Sequence, residues 1–406
     1  MYDVIIIGAR CAGASTSMLL ANKGYKVLLV DRATFPKDLT HGHFIHRHGP
    51  ARLQRWGVLD RIAATNCPPV TTFTTDYGDE PLTGRDIASD GIAFGYGPRR
   101  AALDHVLVDA AVQAGAELRE GFVVEGFTSD GDRVTGIRAR DEAGGPAVCE
   151  RAALTIGADG RNSRLARAVR APAYEATAPL TCWYFSYWSG VPADGLEVAV
   201  RGRKVLFAFP TNDGLYAVFV GWAGSELPTI RRDVERSLMA AIDEVPELSE
   251  RIRSGRREER IYGMADVPNF LRRPYGPGWA LVGDAGSHKD PFMALGICDA
   301  FRDAELLAQA FDDAQSGRRG MDDAMADYER HRNEATMPDY RQNLERARFT
   351  PFPDDLMGLR RALQGNARET SRYYLALEGM IPPASFFNAE NVQRIAAGAG
   401  AHGTAD

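Results

Sequence analysis

The sequence predicts an α/β protein in which a dinucleotide-binding βαβ domain with a β-meander is interleaved with an antiparallel-sheet domain and followed by a C-terminal helical region. Three observations predict it. An apolar run, Tyr2-Asp-Val-Ile-Ile-Ile-Gly8, leads into Gly8-Ala-Arg10-Cys-Ala-Gly13, and Lys26-Val-Leu-Leu-Val-Asp31 follows as a second strand ending in a carboxylate. From Leu180 to about Tyr275 the chain becomes aromatic and β-branched, as in strands of a separate sheet. From Asp299 onward helical spacing dominates, with Ala300, Phe301, Ala304, Leu307, Ala308 and Phe311 on one face.

Each element has a local reason. Gly8 lets the chain turn sharply off the first strand, and Gly13 lets the following helix pack close to the sheet. The N-terminus of that helix offers unpaired N–H groups and a partial positive charge to a diphosphate. Asp31, eighteen residues after Gly13, is placed to accept ribose hydroxyls. The second glycine of the G-x-G-x-x-G pattern, which lets the backbone approach the phosphates, is replaced by Arg10. Taken alone, this turn serves NAD, FAD or a tight strand-to-helix connection. Gly49 to Ile62 reads as a helix broken near Gly57, and Pro68-Pro69 opens an extended segment. A helix is expected over Arg100 to Ala114, then strands over Glu117 to Phe127, Val134 to Arg140 and Ala147 to Thr155, with Asp130-Gly131-Asp132 and Ala143-Gly-Gly-Pro146 as turns. Cys182 to Trp188, Val205 to Phe209 and Leu215 to Trp222 read as aromatic strands, followed by a helix at Ile230 to Ile242. The end, from Ala396, is small and polar and expected to fray.

Two further segments decide among the uses of the glycine turn. Leu154-Thr-Ile-Gly157-Ala-Asp159-Gly160-Arg161-Asn-Ser163 has the form of a DG motif. Gly278-Trp-Ala-Leu-Val-Gly283-Asp284-Ala-Gly286-Ser-His288-Lys289-Asp290-Pro291, followed by Gly296, has the form of a GD motif. With the three motifs in this order, the chain resembles the FAD-dependent monooxygenase superfamily of the para-hydroxybenzoate hydroxylase type, over roughly residues 1 to 345. That superfamily also contains flavin halogenases and geranylgeranyl reductases. Within it, G-A-R-C-A-G together with R-R-x-x-L-D at Arg99 to Asp104 resembles a bacterial subgroup of FAD-dependent oxidoreductases.

The resemblance implies a Rossmann-like FAD-binding domain over 1–74, 94–175 and 274–345, a substrate domain over 75–93 and 176–273, and a C-terminal region over 346–406. It implies FAD contacts at Gly8, Arg10, Ala12, Gly13, Asp31 and Arg32 in the first unit of the fold. Further contacts are implied at Arg100 and Asp159, and at Gly283, Asp284, Pro291, Gly296 and Ile297 around the GD motif. Asp284 would hold a ribityl hydroxyl, and the helix opening at Gly296 would set its positive end toward the pyrimidine edge of the flavin. The implied reaction is hydroxylation or epoxidation of a small aromatic or unsaturated organic substrate with NAD(P)H and O2 through a C4a-hydroperoxyflavin. A reductase of double bonds is the alternative, although the Y-x-W-x-F-P motif of geranylgeranyl reductases is absent from Trp183 to Pro192, as is the W-x-W-x-I-P motif of halogenases. A non-catalytic flavoprotein is the other alternative.

The histidines of His41-Gly-His43-Phe-Ile-His46-Arg47-His48 do not read as a metal site, because no carboxylate or cysteine lies nearby at compatible spacing. By position in the resembled family, His43, His46 and Arg47 are the candidate catalytic donors or proton relay; solvated loop residues are the other reading. Lys289 and His288 are candidates to steady oxygen or substrate. Trp183, Tyr187, Phe209 and Trp222 are expected at the substrate pocket or in the sheet core, with Phe292 and Met293 as a further wall. Strand alternation allows only one face of each strand to meet a pocket.

Composition bounds the remaining classes. The chain has 406 residues, 45% of them hydrophobic, enough for more than one core. Its net charge of −6, with arginines interspersed among acids, argues against nucleic acid. No apolar run has membrane-spanning length and the chain starts on a core strand, so a cytoplasmic protein without a signal peptide is expected. Cys11, Cys67, Cys149, Cys182 and Cys298 are odd in number and lack CxxC spacing, so they are read as free thiols.

Overall fold

The computed structural model describes residues 1–39, 41–85, 91–192 and 195–402. The chain divides into two compact units: residues 1–43, 99–180 and 267–344 form the first, and 44–98, 181–266 and 345–406 the second.

The first unit is built on a parallel sheet whose strands run, side by side, Glu117–Arg119, Val27–Val30, Tyr2–Ile7, Val148–Gly157 and Trp279–Leu281. Ile6 pairs with Leu29 on one side and Ile156 on the other. The apolar runs of these strands follow from burial on both faces, as in parallel sheets covered by helices. The helix Cys11–Asn22 packs with Arg100–Gln113 and Gly296–Gln315. The meander is Phe122–Asp130, Arg133–Asp141 and Val148–Gly157, and its third strand has two roles. Residues 148–151 pair antiparallel with the meander, and 152–157 continue as a strand of the parallel sheet. The single strand expected from Glu117 to Phe127 is two, separated at Gly121 with φ +59°.

The second unit carries a seven-strand path ordered Arg256–Arg257, Thr181–Ser189, Tyr216–Ala223, Lys204–Pro210, Gly195–Arg201, Thr72–Asp76 and Leu82–Gly84. It is antiparallel except where Thr72–Asp76 joins Gly195–Arg201 in parallel. That strand arrives from a distant part of the chain, so no hairpin dictates its direction. The helices Val234–Ile242 and Pro246–Ser254 cover one face, with Leu238, Ile242, Leu248 and Ile252 packed on Leu206, Val218, Val220 and Trp222. The expected break of the Gly49 to Ile62 helix is found: His48–Arg55 and Leu59–Ala63 flank Gly57, whose φ is +71°. The tail expected to fray from Ala396 is helical to His402, and residues 403–406 lie outside the described residues.

Candidate functional site

The glycine turn of the first unit is sterically fixed. Gly8 has φ +102°, and a Cβ there would lie 2.5 Å from the Ala158 carbonyl oxygen. A Cβ on Gly13 would lie 1.8 Å from the Gly8 carbonyl oxygen and 3.0 Å from the Ala158 Cβ. Strand, turn, helix and the DG-motif strand thus meet at one place. Arg10, in contrast, has extended backbone (φ −104°, ψ −162°) that any residue adopts. Its side chain turns to Asp104, Nη1 to Oδ2 2.6 Å, and its guanidinium lies 5.3 Å from the centre of the Phe35 ring. Asp31 pins the same turn by accepting from Ala9 N and Ala33 N, both at 2.8 Å.

Around this turn the first unit collects positive charge. Asp104, fully buried, is shared by Arg10 and Arg100, the latter donating at 2.9 Å. The Cys11 thiol also donates to Asp104 at 3.4 Å; burial, above all, pushes its pKa up to about 12, so it stays protonated. One carboxylate therefore serves two guanidiniums. His41 is held down at about 3, first by burial and then by the charges of Arg100, Arg161, His288 and Arg10, so it is neutral at working pH. The Arg161 Nε is buried and has no hydrogen-bond partner among the described residues. A glycine cradle, a helix N-terminus and surplus guanidinium donors are the donor set a dinucleotide diphosphate requires, and these residues fit FAD.

The GD segment follows on the same unit. Gly283 has φ +60°, and a Cβ on it would lie 2.7 Å from the Cβ of Ala12, so the GD turn sits directly on the first helix. Asp284 is exposed and within electrostatic reach of Arg100. The Pro291–Met293 turn is held from several sides: Asp290 Oδ1 accepts from Phe292 N at 3.1 Å, Asp290 N donates to Asn269 at 2.7 Å, and Asn343 accepts from Met293 N at 3.1 Å. The next helix begins at Gly296, whose missing Cβ would point into open space, and continues with the buried Ile297. Asp159 accepts from Arg164 N at 2.7 Å, and burial raises its carboxyl pKa. Arg32 is exposed. His288 Nδ1 bonds the Pro268 carbonyl, and its ring stacks on Phe270. Lys289 is committed internally: its Nζ lies 2.5 Å from Asp299, which also pairs with Arg302 at 2.7 Å. Burial raises the Asp299 carboxyl, but these two cations bring it below its ordinary range.

The remaining candidates divide between the units. His43 is buried in the first; Phe292 is buried and Met293 half-buried there too. His46 and Arg47 belong to the second unit, where they meet on Glu378. Arg47 Nη1 donates to Glu378 Oε1 at 2.5 Å, and His46 Nδ1 lies 4.0 Å from the same oxygen. The Arg47 side chain is 0% exposed and its guanidinium stacks over Phe73 at 4.3 Å. Burial alone would raise the Glu378 carboxyl, but the neighbouring His46 ring and the charge of Arg47 hold it below its ordinary value. Glu378 carries no motif and lies 331 residues from Arg47, so no sequence signal marks it. His41 and Asp104 were visible in the sequence as part of the histidine run and of R-R-x-x-L-D, and their electrostatic roles emerge only from packing.

The aromatic strands present two different faces. Trp183, Phe185 and Tyr187 share one face with Phe207, Phe209 and Phe219. Phe185 stacks on Phe219 at 4.3 Å, Phe209 on Phe219 at 5.7 Å, and Phe44 meets Phe209 at 5.2 Å and His46 at 5.1 Å. Trp222 lies on the opposite face, cross-strand from Cys182 and inside the helix-covered core. The structure therefore separates Trp222 from Trp183, Tyr187 and Phe209, because its even position pairs it with Tyr216, Val218 and Val220. Among the described residues no three His, Cys, Asp or Glu side chains converge as a metal site, and no helix is long and apolar enough to cross a membrane.

A family model described as an FAD binding domain matches residues 1–339. The chain belongs to this FAD-binding domain family. It is similar to digeranylgeranylglycerophospholipid reductase 2 of Methanopyrus kandleri, 28% identical over 307 residues and 73% of each chain. It is also similar to squalene epoxidase of Schizosaccharomyces pombe, 23% identical over 76% of this chain and 68% of that one. Kynurenine 3-monooxygenase of Xanthomonas campestris pv. campestris is 27% identical over 76% and 72%. Among solved structures, a flavoprotein/dehydrogenase from Cytophaga hutchinsonii superposes with TM-score 0.82 at 18% identity, covering 99% of each chain. The myxobacterial chondrochloren halogenase does so with TM-score 0.77 at 21%, covering 98% of this chain and 96% of that one. These superpositions show the fold. The relatives are FAD-dependent oxidoreductases and monooxygenases, and the protein is an enzyme of that kind.

Proposed function

We propose that the protein is a monooxygenase that uses FAD, NAD(P)H and O2 to place one oxygen atom on a small aromatic or unsaturated organic substrate, returning the other as water. The observation that carries the reading is the buried aromatic layer of the second unit, from Trp183 to Phe219, with His46 and the Arg47–Glu378 pair at its margin. Such a layer takes a flat or unsaturated substrate by stacking and keeps water away from the reacting carbon. FAD, when bound, would carry the electrons of NAD(P)H and supply the activation of dioxygen.

The chain's own residues do the rest. Gly8, Gly13 and the first turn of the Cys11–Asn22 helix receive the diphosphate, with Ala12 set against Gly283. Arg10 and Arg100, held by Asp104, supply positive charge beside it; Asp31 fixes the turn and Asp284 holds a ribityl hydroxyl. Arg32 and Asp159 would meet the cofactor beside this cradle, and the helix that opens at Gly296 and Ile297 after the Pro291 turn would set its N-terminus toward the flavin. His46, beside Glu378, relays the proton that the substrate hydroxyl directs at Glu378, while the charge of Arg47 holds the Glu378 carboxyl below its ordinary value. Trp222 belongs to the helix-covered core rather than to the substrate.

The test is reduction of the holoprotein by NADH or NADPH without oxygen, followed by 18O2 and mass analysis of products from a phenol and polyene panel. A product heavier by one labelled oxygen supports the reading. A second reading, reduction of a carbon–carbon double bond, is favoured by the similarity to the Methanopyrus kandleri reductase, and a product heavier by two hydrogens without oxygen would establish it instead.

A further inference from the structure

Among the described residues of the second unit two arginines are buried completely, and each has its own carboxylate. Arg360 is held by Asp79 at 2.7 Å, and Arg47 by Glu378 at 2.5 Å. Only the second pair borders the aromatic layer, through the Phe73 ring that lies under Arg47 and against Phe44. At the other end of the layer Arg260 lies over Tyr262, but it is exposed to solvent. Glu378 comes from residues 345–402, beyond the part matched by the family model. The same segment adds Tyr374, whose hydroxyl bonds Thr75 at 2.9 Å and whose ring meets Phe73.

Resting on the monooxygenase reading above, we propose that this aromatic layer selects an uncharged, oxygen-bearing aromatic substrate and rejects its carboxylate analogue, because Glu378 occupies the charge of Arg47. An anion approaching Arg47 meets the Glu378 carboxylate at the same point, and the repulsion offsets the attraction. The hydrogen-bonding capacity left over suits a neutral group. Arg47 Nε and Nη2 have no acceptor among the described residues, and Glu378 Oε2 has no donor. A phenolic hydroxyl accepts from the first and donates to the second, which pairs buried groups that otherwise have no partner. Glu378 is thus a specificity-determining residue supplied by the C-terminal segment.

The experiment is equilibrium dialysis of the flavin-loaded protein at pH 7 against 2-naphthol and 2-naphthoate, which share a ring system and differ in charge. The parent is expected to bind naphthol at least about tenfold more tightly than naphthoate. Glu378→Gln is expected to move that ratio by about tenfold or more toward naphthoate, since it releases the guanidinium charge. The double variant Arg47→Met with Glu378→Leu removes both charges and is expected to reject naphthoate again, which separates unmasking of Arg47 from a general loosening. Equal or tighter naphthoate binding by the parent overturns the proposal, as does failure of the parent to bind either probe or an unchanged ratio in Glu378→Gln. If Glu378→Gln does not fold, the double variant decides: naphthoate bound as tightly as naphthol there refutes the masking. Because dialysis reads binding, discrimination that persists without any 18O incorporation refutes the monooxygenase reading and leaves the selectivity standing.

Discussion

Replacing Gly13 by Ala tests the cradle more sharply than any change to a charged residue. The added Cβ would lie 1.8 Å from a backbone oxygen, that of Gly8. Ordinary contact begins near 3.4 Å, so helix and turn would have to separate by roughly 1.5 Å, and no flexible side chain is available to give way. Gly13 has no positive φ in this helix, so the whole cost is steric. Overpacking of this kind costs about 1 to 3 kcal/mol and more against rigid backbone. Because the displaced atoms are those that receive the diphosphate, about 3 kcal/mol should appear in cofactor binding, roughly two powers of ten in the FAD dissociation constant. The assay is recovery of FAD fluorescence on dilution of holoprotein, with circular dichroism as the check on folding. Two controls bracket it. Gly24→Ala has φ +88° but open space around the new Cβ, so it carries backbone strain alone and should leave FAD in place. Arg10→Gly restores a glycine where the backbone does not need one, and should change FAD affinity by about 1 kcal/mol or less, as expected for a partly exposed ion pair. A Gly13→Ala protein that folds and retains FAD as the parent does would refute the steric account of the turn.

Three further outcomes are expected. Asp284→Ala should fold and bind FAD more weakly by about 1.5 to 3 kcal/mol, the contribution of one charge-assisted hydrogen bond, measured by the same dilution; unchanged occupancy would remove Asp284 from the ligand set. His46→Ala should keep its flavin spectrum and lose about 10²-fold or more in product formation coupled to NAD(P)H oxidation, whereas a parental rate would make it a connector residue. His41 gives a pH dependence: the unfolded chain takes up a proton near pH 6.5 while the folded site resists it to about 3, so protons favour unfolding throughout that window. The urea midpoint of the parent should therefore fall as pH drops from 7 to 4, and His41→Asn should fall less steeply. Parallel slopes would show that His41 is not held neutral by its neighbours.

Much of this protein is legible in its sequence because the constraints concerned are local. Gly8 and Gly13 announce the turn since no side chain fits there, and apolar runs of four to six residues announce strands covered on both sides. Gly57 marks the helix break through its φ, and the spacing of Phe301, Leu307 and Phe311 marks the buried face of a helix. Other features had no local signature. Periodicity separated the two faces of the aromatic strands but not which face the helices cover; packing of Leu238 and Ile252 decided it, and with it the place of Trp222. The Val148–Gly157 strand belongs to two sheets because its two ends find different neighbours. Charge partners are equally remote: Arg10 meets Asp104 across 94 residues and Arg47 meets Glu378 across 331. A buried charge must find a counter-charge wherever the fold brings one, since leaving it unpaired costs several kcal/mol, and this requirement leaves no periodic trace in the chain. The sequence by itself determined the cradle, the strands and the chemistry available to them; the tertiary structure decided which charges are already spoken for, and so which remain to meet a substrate.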